Sequence, residues 1–128
     1  MEKLNFPTYN FKLKKNNNKT YIFDEIRLKW IVLSPEEWVR QNFITYIKSK
    51  GYPMSLINIE KSFSINGVKK RYDIVIFNQI GKVNILVECK SFKQKIMNNH
   101  FDQIMRYNIE LKSPYLAVSN GINHYYLK

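Results

Sequence analysis

Val83-Asn84-Ile85-Leu86-Val87-Glu88-Cys89-Lys90 is the stretch on which the fold turns. Val83, Ile85, Leu86 and Val87 make a nearly continuous apolar run, the pattern of a strand buried on both faces in the middle of a sheet. The run ends on two charges. Residues two apart on a strand point the same way, so Glu88 and Lys90 project together while Cys89 enters the opposite layer. Charges in such a place are rarely tolerated without a partner or a metal.

Working outward, Arg71 to Phe77 forms a neighbouring strand, joined to the first through a turn at Asn78–Lys82 that contains Gly81. Before it, Leu56 to Ile65 alternates, with Ile57, Ile59, Phe63 and Ile65 expected on one face, and Asn66-Gly67 is a two-residue hairpin signal. Ser34-Pro35-Glu36-Glu37 starts a helix: Ser34 caps, Pro35 suits the first helical position, and Glu37 completes a capping box. Trp38, Val39, Phe43, Ile44 and Ile47 follow at helical spacing, and Gly51 ends the helix. A second helix over Asn98–Leu111 turns Phe101, Ile104 and Met105 toward the sheet. Pro114 stops it, and strands follow at Tyr115–Ser119 and His124–Leu127, separated by Asn120-Gly121. The expected architecture is α/β, a mixed central sheet flanked by helices. Ile22–Leu33 suits either a short helical turn or a strand. Residues 1–21 are polar and Asn/Lys-rich around Lys14-Lys15-Asn16-Asn17-Asn18-Lys19, and are expected to loop over the surface of a domain spanning 22–128.

The chain has 128 residues, enough for one domain with a sizeable core. Its 21 Lys and Arg against 10 Asp and Glu leave a formal charge of +11. That excess favours a polyanionic partner, because contact with phosphates releases condensed counterions; a merely soluble basic protein is the alternative. No basic amphipathic helix suited to a membrane surface is evident. The single cysteine, Cys89, excludes an intramolecular disulfide, and with no early apolar run to act as a signal the expected location is the cytoplasm.

Asp73 lies early in the Arg71–Phe77 strand, and the Gly81 hairpin can bring it near Glu88, with a register that the turn sequence leaves open. Two carboxylates converging with the backbone carbonyl of Cys89 make an oxygen site for a hard cation such as Mg²⁺, with Mn²⁺ as a substitute. A metal there lowers the pKa of bound water and stabilises charge on a phosphoryl group, and Lys90 beside it can orient the water. The plainer alternative is a Glu88–Lys90 salt bridge at a solvated strand end. Lys69, Lys70 and Arg71 before the acid, and Lys93 and Lys95 after the Glu-x-Lys pair, suit a phosphate clamp or a solvated turn. His100 and His124 lack metal spacing with Cys89, which itself suits a small core residue.

The chain resembles the PD-(D/E)XK nucleases, and within them the N-terminal nuclease domain of the restriction subunit of type I restriction enzymes. The resemblance is carried in order by Phe23-Asp24-Glu25-Ile26-Arg27, Ser34-Pro35-Glu36-Glu37-Trp38-Val39-Arg40-Gln41, Lys70-Arg71-Tyr72-Asp73-Ile74-Val75, Val87-Glu88-Cys89-Lys90, Phe101-Asp102-Gln103 with Arg106-Tyr107-Asn108, and Ser119-Asn120-Gly121. It implies that Asp73 and Glu88 bind the metal and that Lys90 takes part in hydrolysis. It further implies roles for Gln103 and Tyr107, which share a helix face at i, i+4, and for Glu37 as a supporting acid. Tyr72 stands where the family's proline precedes the acid. The motor domains of the type I subunit have no counterpart in these residues, so the expected activity is a DNA endonuclease without translocation. The alternative is a catalytically silent nucleic-acid-binding module on the same fold. A homodimer and restriction or phage-defence subunits are the expected partners beyond DNA.

Overall fold

A computed structural model describes residues 1–128 except for the side chain of Ile65. The expectation that Ile65 faces inward therefore lies outside the described residues. Two sheets are present. The first is antiparallel, in the order β1 (Leu13–Asn16), β2 (Lys19–Asp24), β3 (Lys29–Val32). The ambiguous Ile22–Leu33 stretch thus resolves into strands around a tight turn, with Leu28 at φ +56°. β-Branched and aromatic residues in Tyr21-Ile22-Phe23 and Trp30-Ile31-Val32 favour a pleated surface over a helix.

The second sheet is mixed and has the order β4 (Ile57–Ile65), β5 (Val68–Phe77), β6 (Val83–Cys89), β7 (Tyr115–Ser119), β8 (His124–Leu127). All its neighbours are antiparallel except β6 and β7, which run parallel. A parallel pair needs a crossover, supplied here by α2 (Asn98–Leu111). β6 lies mid-sheet, where its apolar run placed it.

The two faces carry separate cores. α1 (Pro35–Ser49) lays Val39, Phe43, Ile44 and Ile47 over Ile57, Ile74, Ile76, Val87 and Cys89. α2 lays Ile104 over Tyr72, Val75, Leu86 and Val118 on the other face. Each fully buried aliphatic side chain stabilises this arrangement by about 1.5–3 kcal/mol. Ser34 caps α1 as expected, its hydroxyl accepting the Glu37 N–H at 3.0 Å, and Gly51 follows the helix at φ +97°.

The first residues do more than loop over the surface. Leu4 and Phe6 are buried in the α1-side core, because Asn5 N–H donates to the Gly121 carbonyl at 2.7 Å and pins the chain there. Gly121 sits at φ +86°, and a Cβ there would come within 2.9 Å of Leu4 and 3.1 Å of Val39. Glycine is required both for the backbone angle and for the close approach of Leu4.

The β4–β5 hairpin also departs from simple alternation. Ile59 packs on the α1 side and Phe63 on the α2 side; across the ladder Ile74 packs on the α1 side and Tyr72 on the α2 side. The pair between them, Glu60 opposite Asp73, is skipped in the ladder, and Glu60 has φ +55°. A left-handed residue within a strand turns its pleat over, so the expectation that Ile57, Ile59 and Phe63 share one face fails at Glu60. Asp73 stands at that turnover.

Candidate active site

Asp73 occupies a fork in the sheet. β5 pairs with β6 only from Ile74 onward, with Ile74 opposite Val87. Its earlier half, Val68 to Tyr72, pairs with β4 alone and splays away from β6. The ladder therefore leaves the Cys89 N–H unclaimed, and the Asp73 carboxylate accepts it through Oδ2 at 2.8 Å. Continuing the register by one step sets Asp73 opposite Glu88, a register the Gly81 hairpin alone left open. β6 is held from its other side by β7, where Glu88 pairs with Val118 and Cys89 with Ser119. The Lys90 N–H donates to the Ser119 carbonyl at 2.8 Å, fixing the chain just past the strand.

Glu88 and Lys90 share the α2-side face, while Cys89 is buried in the α1-side core. Lys70, Glu88, Lys90, His100, Gln103 and Ile104 line one small cleft there. Glu88 Oε1 is buried and has no hydrogen-bond partner among the described residues. Burial pushes this carboxyl up to about 8; the nearby Asp73 charge adds to the rise, and Lys70 and Lys90 oppose it. A buried carboxylate oxygen without a donor costs free energy that a bound cation would recover. Burial also raises the Cys89 thiol, which stays protonated and inert.

On the α1 side Asp73 meets a different partner. Arg40 donates from Nη2 to Asp73 Oδ1 at 2.7 Å and from Nη1 to Glu37 Oε1 at 2.7 Å. Glu37 Oε2 accepts from Arg27 at 2.9 Å and from Gln41 at 3.0 Å. Asp24, buried at the end of β2, accepts from Arg27 and Gln41 in turn. Both oxygens of Glu37 are thus engaged, and it reaches Asp73 only through the Arg40 guanidinium. Its neighbour Glu36 is the α1 acid on which the charges of Asp73 and Lys90 act. Burial first, then Asp73, raises the Glu36 carboxyl. Arg40 is held firmly protonated: the Glu37 and Asp73 carboxylates outweigh the burial that opposes its charge.

The remaining expected residues divide clearly. Gln103 lies at the cleft. Tyr107, one turn along α2, is half-buried beside Lys70, whose Nζ lies 5.5 Å from its ring and 5.6 Å from that of Tyr72. Lys70 faces Glu88, whereas Lys69 and Arg71 are exposed, the latter 3.9 Å from Glu60. Lys93 and Lys95 are exposed on the loop after β6. That loop is tied to the β7–β8 turn by Asn120, whose amide donates to the Gln94 carbonyl at 2.9 Å. His124 bridges Ser119 and the Asn5 carbonyl, which is a structural task.

Four residues at the site escaped the sequence. Arg40, Glu36 and Glu60 surround Asp73, and His100, which has no metal spacing with Cys89, lines the cleft. His100 Nδ1 accepts the Met97 N–H at 3.0 Å, which leaves Nε2 as the protonated nitrogen of the neutral ring. Its spacing one turn before Gln103 was the available signal. Among the described residues no three His, Cys, Asp or Glu side chains gather as they would for a metal held by side chains alone. The carboxylates at the fork are Asp73 and Glu88, and Mg²⁺ is commonly held by one or two carboxylates with water and substrate oxygens as its other ligands.

No helix among the described residues is long and apolar enough to cross a membrane. No curated protein and no solved structure matches the chain. A family model does: the one described as Type I restriction enzyme R protein N terminus (HSDR_N) matches residues 35–128. That span runs from the first residue of α1 through the fork, the cleft and β8. The chain belongs to the type I restriction enzyme R protein N-terminus family.

Proposed function

We propose that the chain is a Mg²⁺-dependent endonuclease of the PD-(D/E)XK type, built on a restriction-endonuclease-like fold and hydrolysing phosphodiester bonds in DNA. The observation that carries this is Glu88: a half-buried carboxyl with one buried, unpartnered oxygen, opposite Asp73 at the sheet fork and two residues before Lys90. Asp73, Glu88 and the Cys89 carbonyl would hold Mg²⁺, or Mn²⁺ in its place. Bound there, the metal supplies Lewis acidity toward water and phosphate.

The chain's own groups supply the rest. Lys90 holds and orients the attacking water and offsets negative charge that grows on the phosphoryl oxygens. Gln103 donates to the same phosphate, and Tyr107 with Lys70 steadies the cleft's α2 wall. Glu37 acts at one remove, setting Arg40 and through it Asp73. Lys70 at the cleft and exposed Lys69, Arg71, Lys93 and Lys95, on the same strand and the loop after β6, neutralise backbone phosphates. A single site opens one strand, so cutting both strands takes a homodimer or two visits. Subunits of a restriction system are the natural partners.

One observation favours a second reading, a silent nucleic-acid-binding module. The Arg40 guanidinium already occupies Asp73 Oδ1 at 2.7 Å, where a metal would compete with it. Supercoiled plasmid with Mg²⁺ or Mn²⁺ separates the two. Nicking that Glu88→Ala and Lys90→Ala both abolish supports the enzyme; intact plasmid, with binding that persists in chelator, supports the module.

A further inference from the structure

The β1–β3 sheet precedes the family-matched span of 35–128 and has an outward face that the cleft chemistry does not use. Directly opposed residues of an antiparallel pair share a face. Lys14 lies opposite Tyr21 and Tyr21 opposite Val32; Phe23 lies opposite Trp30. The Phe23 N–H donates to the Lys12 carbonyl at 3.0 Å, which extends the ladder and adds Lys12 to the same row. The two rows therefore read Lys12-Phe23-Trp30 and Lys14-Tyr21-Val32. The inward residues of β2, Ile22 and Asp24, are buried.

The rows form one interleaved basic and aromatic surface. Phe23 and Trp30 pack edge to face with centroids 5.3 Å apart. Lys14 Nζ lies 4.4 Å from the Trp30 centroid, and Lys12 Nζ lies 5.6 Å from that of Phe23. Trp30 is 37% exposed, unusually open for an indole in a strand. Neither Lys12 nor Lys14 is within 4.0 Å of a carboxylate among the described residues, and the two rows contain no acid.

We propose that this face is a docking platform for single-stranded nucleic acid. Unpaired bases stack on Trp30 and Tyr21, and Lys12 and Lys14 turn from the rings to the phosphates. Charge complementarity selects the partner: a polyanion meets the lysines, and exposed rings reward only a polyanion whose flat bases are free to stack. A duplex keeps its bases stacked within itself, and Val32 and Trp30 are too little apolar surface for a membrane anchor. The platform is independent of hydrolysis at the fork.

The test uses the full chain in EDTA, so that cleavage plays no part. The two tryptophans are Trp30 and Trp38, and Trp38→Phe leaves Trp30 as the only indole reporter. A twelve-residue oligo-dT should quench Trp30 fluorescence, and a duplex of equal length should quench it less. Read instead by the fluorescence anisotropy of an end-labelled oligo-dT, because the substitution removes the indole reporter, Trp30→Ala should weaken binding about tenfold, the loss expected for one stacked base. Lys14→Glu should weaken it comparably and flatten the salt dependence; as an exposed substitution it serves even if Trp30→Ala impairs the small sheet. Oligo-dT binding that is absent, or is unaffected by Lys14→Glu, overturns the proposal. So does quenching by phosphatidylserine vesicles without quenching by oligo-dT.

Discussion

Replacing Glu88 with glutamine should stabilise the metal-free protein, and increasingly so as pH rises. Glu88 titrates near 4.5 when solvated and at about 8 in the fold, chiefly through burial and then through Asp73. Below 4.5 the group is neutral folded or unfolded and contributes nothing to pH dependence. Between 4.5 and about 8 the native state holds a proton that the unfolded chain releases, so stability falls as pH rises. Above about 8 the loss is complete. At roughly 1.4 kcal/mol per pH unit, the ceiling on that loss is ~5 kcal/mol. Relaxation and water entry around a real buried ion reduce it to the order of 2 kcal/mol. Glutamine has nearly the same shape and no charge at any pH. Thermal melts in EDTA of both proteins from pH 4 to 9 should therefore diverge. For a chain of this size, a gap of roughly 6–10 °C in favour of the variant is expected at the alkaline end. The amide brings its own hydrogen-bonding cost, which shifts the two curves by a constant and does not imitate the divergence. A difference in Tm that stays flat across the range would refute the placement of Glu88 as a carboxyl with one buried, unpartnered oxygen. If Glu88 holds Mg²⁺ as proposed, the wild type at pH 8 should gain stability from the ion that Glu88→Gln does not, because such an ion would bind the native state alone.

Arg40→Leu should cost about 3–5 kcal/mol in urea unfolding, since it strands the Glu37 and Asp73 carboxylates without their shared cation; a loss under 1 kcal/mol would mean that the network is dispensable. Gly121→Ala should cost on the order of 1–3 kcal/mol through its positive φ and the clash with Leu4. Combined with Leu4→Ala it should cost less than the two single losses added together, and strict additivity would contradict the contact. His100 should titrate below 6.5, because burial and the Lys90 charge both disfavour its cation. Lys90→Met should move the NMR midpoint upward, and an unmoved midpoint would take His100 out of the cleft.

Much of the fold was legible because its signals are local. Ser34-Pro35 and Gly51 bounded α1, and Asn66-Gly67 and Gly81 marked hairpins by the backbone angles they need. The apolar run before Glu88 identified the central strand. Ile22–Leu33 stayed ambiguous since a short apolar stretch satisfies either periodicity, and only pairing across β1–β3 decided it. The first residues looked like surface because Leu4 and Phe6 are isolated in a polar segment; their burial depends on a bond to Gly121, far along the chain.

The sequence by itself determined that Glu88 and Lys90 share a face and that Cys89 does not, because strand geometry follows from spacing alone. It also made Asp73 a plausible neighbour of Glu88 through the Gly81 hairpin, but the register of that hairpin came only from the folded sheet. Only the tertiary structure decided what surrounds these groups. The pleat turns over between Glu60 and Asp73, the sheet forks there, and Arg40 reaches Asp73 across 33 positions of chain. Burial, not residue type, leaves Glu88 Oε1 without a donor and raises the affinity of the carboxyl for a proton. Such properties arise where distant segments exclude water together, and no local pattern encodes that.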